Sequence, residues 1–110
     1  MKQYLTPSQT AKLIELGFEK PKNERWVLDV ANESTPSIQN IVKRQDYSIG
    51  ELIEMLPMED RAGERSMVYD GLEWVVNWDN DDGTINQVVA TELIDALYAM
   101  ILQLKEEGVI

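Results

Sequence analysis

The sequence predicts an α+β fold: a single domain over residues 1–110 in which an antiparallel sheet, including a tryptophan-bearing hairpin, packs against three helices. The long C-terminal helix is its expected spine. Three observations lead there. Ser/Thr-x-x-Gln/Glu boxes precede three apolar stripes, an Asp-Gly dipeptide divides two alternating runs, and a broad apolar arc closes the chain. With 110 residues, 44% of them hydrophobic, the chain can build one core without disulfide or metal.

The first helix opens at Thr6-Pro7-Ser8-Gln9, where the hydroxyl accepts the third amide and the glutamine returns to the cap, with proline at the favoured first position. Leu13, Ile14 and Leu16 form its apolar stripe, and Gly17 suits a left-handed stop. Trp26 to Val30 reads as a strand, and Ile38 to Val42 as a further strand at a sheet edge. Ala31 to Ser37 is expected as a loop. The second helix opens at Ser48-Ile49-Gly50-Glu51, with Tyr47 and Leu52 as a hydrophobic staple, Leu52, Ile53 and Leu56 facing inward, and Pro57 closing it. The charged stretch Met58 to Ser66 is expected as a mobile loop.

Met67 to Trp74 carries the hairpin signal. Asp70-Gly71 as a two-residue turn sets Tyr69 opposite Leu72 and Met67 opposite Trp74. One face then collects Met67, Tyr69, Leu72, Trp74, Val76 and Trp78, and the other Val68, Glu73, Val75 and Asn77. The third box, Thr84-Ile85-Asn86-Gln87, predicts a helix from Ile85 to Glu107, about 34 Å long at ~1.5 Å per residue, with Gly108 as its stop. Its apolar arc holds Val89, Ala90, Leu93, Ile94, Leu97, Met100, Ile101 and Leu104.

Composition narrows function by exclusion. No cysteine or histidine is present, which removes disulfides, thiolate or imidazole metal sites, cysteine nucleophiles and the usual triads. No phosphate-cradling glycine loop or serine-nucleophile elbow occurs, so no enzyme activity and no cofactor are expected. Charge is lopsided. Residues 1–50 carry seven bases and six acids, whereas residues 51–110 carry three bases and fourteen acids, in a net charge of −10. That field repels nucleic-acid phosphates and anionic membranes and favours a partner with a basic surface. The N-terminal residues lack the apolar core of an export signal, so a cytoplasmic location is expected.

Asp79-Asn80-Asp81-Asp82-Gly83 resembles a calcium loop only in passing: Asn80 and Asp82 fit positions 3 and 5, but Trp78 and Val89 occupy positions that need oxygen ligands. It reads as an acidic turn, and no metal site is expected. Trp26, Trp74 and Trp78 read as packing residues. The candidate partner contact is a stripe of Glu92, Asp95, Ala99, Leu102 and Glu106, opposite the apolar arc and without an i+4 lysine to offset its charge. It suits a basic protein surface or self-association.

Tyr47-Ser48-Ile49-Gly50-Glu51-Leu52-Ile53-Glu54-Met55-Leu56-Pro57, Glu92-Leu93-Ile94-Asp95-Ala96-Leu97-Tyr98-Ala99-Met100-Ile101 and the tail Glu107-Gly108-Val109-Ile110 together resemble a family of small proteins of gut Bacteroides-type bacteria and their prophages and mobile elements. The resemblance covers about the second half of the chain and implies a capped helix, a tryptophan hairpin and a closing helix. It implies no activity and no catalytic residues. The acidic balance after residue 50 and the missing catalytic repertoire make a non-enzymatic interaction or accessory module the expected function. The alternatives are a nucleic-acid-mimicking inhibitor of the anti-restriction type and a small enzyme using carboxylates.

Overall fold

A computed structural model of the chain describes residues 2–22, 24–28, 41–56, 63–80 and 83–110. It is an α+β protein; among the described residues all strand pairing is antiparallel and forms two sheets rather than the one expected. The chain divides into two compact units, Thr6–Tyr47 and Met1–Leu5 with Ser48–Ile110.

In the Thr6–Tyr47 unit, helix α1 (Pro7–Glu15) starts as its local chemistry dictates. The Thr6 hydroxyl accepts the Gln9 amide at 3.2 Å, and the Gln9 side chain accepts the Thr6 amide at 3.0 Å. Gly17, at φ +100°, ends the helix, and the Gly17 and Phe18 amides donate to the Ile14 and Leu13 carbonyls. Strands β1 (Arg25–Leu28) and β2 (Ile41–Arg44) pair antiparallel. The first strand starts one residue before the expected Trp26. The second extends past the expected end at Val42 to include Lys43 and Arg44; in a two-stranded ribbon both strands are edges, where charge is tolerated. The expected residues Asp29, Val30 and Ile38 to Asn40, and the whole Ala31 to Ser37 loop, lie outside the described residues.

That register sets Arg25 directly across from Arg44. Like charges there are destabilising unless compensated, and the buried Asp46 compensates both. Its two oxygens lie 3.4 Å from Arg25 Nη2 and 3.3 Å from Arg44 Nη2. On the alternate positions Trp26, 67% exposed, lies beneath the Lys43 ammonium at 5.1 Å, so Trp26 is not the core residue the sequence suggested. The Tyr47 hydroxyl donates to the Glu19 carbonyl.

The second unit is organised by helix α2 (Ile49–Met55), strands β3 (Gly63–Tyr69), β4 (Trp74–Asn80) and β5 (Ile85–Ala90), and helix α3 (Leu93–Glu106). Helix α2 carries the expected capping box between Ser48 and Glu51, and it buries Leu52. Leu56 is buried at its C-cap, and Pro57 lies outside the described residues. The N-terminal segment joins this unit through a bridge between Tyr4 and Ser48 and a bond from the Ile49 amide to the Gln3 carbonyl.

The largest correction concerns the third capping box. Ile85 to Ala90 form β5, an edge strand paired with β4, and the helix begins only at Leu93. Its 14 residues span about 21 Å instead of 34 Å. Thr84 caps nothing: its hydroxyl accepts from the Asn80 side chain at 3.0 Å, and its carbonyl accepts the Asn80 amide at 2.8 Å, which closes the β4–β5 turn. The β-branched Ile85, Val88 and Val89 favour the pleated surface they occupy. Val89 is thus 47% exposed on the sheet rather than buried in a helix. From Leu93 onward the predicted arc holds, with Leu93, Ile94, Leu97, Met100, Ile101 and Leu104 buried. The helix packs on β4 and β5, and α2 packs on it.

The hairpin forms with its faces as predicted and its register two residues away. Tyr69 pairs with Trp74 and Met67 with Val76, and the turn spans Asp70 to Glu73. A shift of two preserves the face of every strand residue, because side chains alternate with period two. Leu72 leaves the predicted core face and is 81% exposed. The Asp70 side chain explains the shift. Its carboxylate accepts the Leu72 and Glu73 amides at 2.9 and 2.8 Å, the Asp70 amide donates to the Glu73 carbonyl, and Gly71 takes φ +100°. The Tyr69 and Trp74 rings then pack at 5.2 Å between centroids, tilted by 44°. The stretch Gly63 to Ser66, expected as loop, is the start of β3 paired with β4. Residues 58–62 of that expected loop lie outside the described residues.

The same bonds from the Glu73 and Leu72 amides hold the Asp70 carboxyl below its ordinary value of 3.8. Folding therefore favours the ionised form. The turn's contribution is complete above 3.8 and is lost as the pH falls through the lower folded value. An NMR titration should show the Asp70 carboxyl titrating below the ordinary range, with the Leu72 and Glu73 amide shifts following it. Asp70→Asn should abolish that coupled transition.

Candidate functional site

The expected contact stripe lies on α3 and its N-terminal junction. Glu92 is the N-cap, in extended conformation, and its carbonyl accepts the Ala96 amide. Asp95 sits in the first turn, where a negative charge complements the helix dipole, and Lys105 complements the last turn. The steps from 92 to 95, 99, 102 and 106 alternate three and four residues, which keeps all five residues on one flank of the helix. Glu106 is exposed; Glu92, Asp95, Ala99 and Leu102 are half-buried. The structure therefore brings together the residues that sequence periodicity grouped, with a more sheltered centre than expected.

Its electrostatics differ from the expectation. The acidic pair at the upper end is offset, though not by an i+4 lysine. Lys2 arrives from the N-terminal segment: its ammonium lies 3.1 Å from Asp95 Oδ1, and its amide donates to Glu92 Oε2 at 3.0 Å. Glu92 is thereby engaged and makes no side-chain cap for its own helix. Nothing in local sequence signals this clasp, since residue 2 reaches α3 only because Gln3 and Tyr4 pair beside the start of α2. With the Lys2 and Asp95 side chains 44% and 37% exposed, the pair contributes at most about 1 kcal/mol. Its main effect is on the field. The upper end of the stripe is partly neutralised, and Glu106 at the lower end is exposed.

A second polar cluster flanks the other end of α3. The Asn86 side chain, largely buried on β5, donates to Glu107 Oε2 at 2.6 Å and accepts from Asn80 Nδ2 at 2.9 Å. The expected acidic turn thus contributes Asn80 to an internal hydrogen-bond chain, while Asp81 and Asp82 lie outside the described residues. Among the described residues, no group of three or more metal-ligating side chains converges, and no helix is long and apolar enough to cross a membrane. Burial raises the Tyr98 phenol above its ordinary 10.0. Trp78 is fully buried, as expected of a packing residue, and Trp74 is half-buried.

Compared with protein-family models, with curated proteins and with solved structures, the chain matches none. Function is therefore argued from the chain's own surface.

Proposed function

We propose that this chain is a non-enzymatic, cytoplasmic protein-interaction module that engages a basic partner surface through the Glu92, Asp95, Ala99, Leu102 and Glu106 flank of α3. The observation that carries the reading is the two-sidedness of this helix. One side supplies most of the core of its own unit, while the other sets two apolar side chains between carboxylates, in the half of the chain that holds fourteen of its twenty acids. Charges at the rim steer encounter with a basic surface, and the sheltered apolar centre adds burial. The resemblance to small proteins of Bacteroides-type bacteria and their prophages supports a mobile-element setting for this role. A nucleic-acid mimic finds less support, because such a surface needs an unbroken array of carboxylates and Lys2 interrupts this one.

A photo-crosslinking residue placed at Leu102 should capture a partner from the source cell. Glu92→Lys/Asp95→Lys should reduce that capture at least tenfold, with the circular dichroism spectrum unchanged. Recovery of no partner sensitive to these reversals removes the proposal.

A further inference from the structure

We infer that the outer face of the β3–β4–β5 sheet is a second docking surface, shaped for a basic amphipathic helix of a partner protein. The inference rests on the chain's being an interaction module but uses a different surface from the α3 flank. An antiparallel sheet covered by a helix on one side ordinarily turns polar residues to water on the other. Here the inner face conforms, with Val76 and Trp78 buried beneath α3. The outer face does not. In register across all three strands stand Val68, Val75 and Val89, with Val68 and Val89 55% and 47% exposed.

The next outer row is Ser66, Asn77 and Gln87. These side chains bond to one another along the row, from Gln87 Nε2 to Asn77 Oδ1 at 2.9 Å and from Asn77 Nδ2 to Ser66 Oγ at 3.4 Å. Their polar groups are thus partly satisfied sideways, which lowers the cost of covering them. Beyond them Ile85 stands 63% exposed opposite Asp79. A single exposed valine is ordinary. A row of three valines spanning the full width of a sheet, beside a self-bonded polar row, is a patch rather than a scatter.

Charge identifies the occupant. Asp79 lies on this face, Asp70 and Glu73 lie at the adjoining hairpin turn, and no outward position from Ser66 to Val89 in the three strands is lysine or arginine. A second copy meeting the same face would oppose acid to acid, whereas lysine or arginine beside leucine or isoleucine satisfies rim and centre together. The inner face shows that this sheet accepts a helix laid across it.

The test uses the full chain and an 18-residue amidated peptide with leucine along one helical face and lysine along the other, with a scrambled peptide of equal charge as control. NMR titration should shift the amides of Val68, Val75, Asn77, Gln87 and Val89 saturably. Val68→Thr/Val89→Thr, which keeps the β-branched shape, should weaken binding roughly tenfold. Glu92→Gln/Asp95→Asn should change it less than twofold. Equal binding of the scrambled peptide, unchanged affinity in the valine variant, or shifts confined to the α3 flank would each overturn the inference. So would a dimer in sedimentation that buries the valine row. Because the α3 reading is tested by crosslinking at Leu102, either surface can fail alone.

Discussion

Trp78→Ala is expected to lower the stability of the strand–helix unit by about 4 kcal/mol, the range for deleting a buried aromatic side chain. The indole is fully buried on the inner face of β4, the central strand of its sheet, where α3 packs. Its removal leaves a large void that neighbouring side chains refill only in part. The indole N–H has no hydrogen-bond partner among the described residues, so its burial carries a desolvation cost. Trp78→Phe should therefore cost markedly less than the alanine variant, because it keeps most of the apolar volume and removes the unsatisfied donor. Trp26→Ala supplies the contrast: at 67% exposure it should change stability by less than about 1 kcal/mol. Urea denaturation followed by circular dichroism measures all three. Equal losses for Trp78→Ala and Trp26→Ala would show that β4 does not anchor the core.

The second large effect lies in the Thr6–Tyr47 unit. Asp46→Ala should destabilise the β1–β2 ribbon by about 2–3 kcal/mol, below the usual loss for a fully buried pair because both guanidinium side chains are about one-third exposed. Without the carboxylate, Arg25 and Arg44 face each other across the ribbon without the acceptor they share. Part of the penalty is therefore repulsion, and 1 M salt should shrink it. Asp46→Asn should be milder, since the amide oxygen still accepts a hydrogen bond. Amide exchange along Trp26 and Lys43 reads the ribbon directly. Unchanged protection in Asp46→Ala would mean that the triad is incidental to its stability.

Much of the architecture was readable in the chain because its signals are local. Thr6 with Gln9, and Ser48 with Glu51, form boxes whose atoms lie within one helical turn, so chemistry and geometry cannot easily separate. Gly17 likewise stops a helix where only glycine takes that backbone freely. The inward arc from Leu93 to Leu104 follows from helical periodicity alone. For the same reason helical spacing alone groups the five residues of the contact stripe.

What sequence could not supply depended on partners far along the chain. Thr84-Ile85-Asn86-Gln87 fits the same Ser/Thr-x-x-Gln/Glu pattern as the two true boxes, yet pairing with β4 outweighs the roughly 1 kcal/mol a local cap contributes. The hairpin shows a finer division. Alternation alone assigned each strand residue to its face, but the Asp70 carboxylate, by capturing two amides, chose between registers that alternation treats as equal. The Lys2 clasp on Glu92 and Asp95 and the valine row across three strands had no local signal at all. Helix caps and side-chain faces are set by neighbours three or four residues apart, which the sequence displays. Strand pairing, and the charge and apolar surfaces built upon it, join residues that only the folded chain brings together.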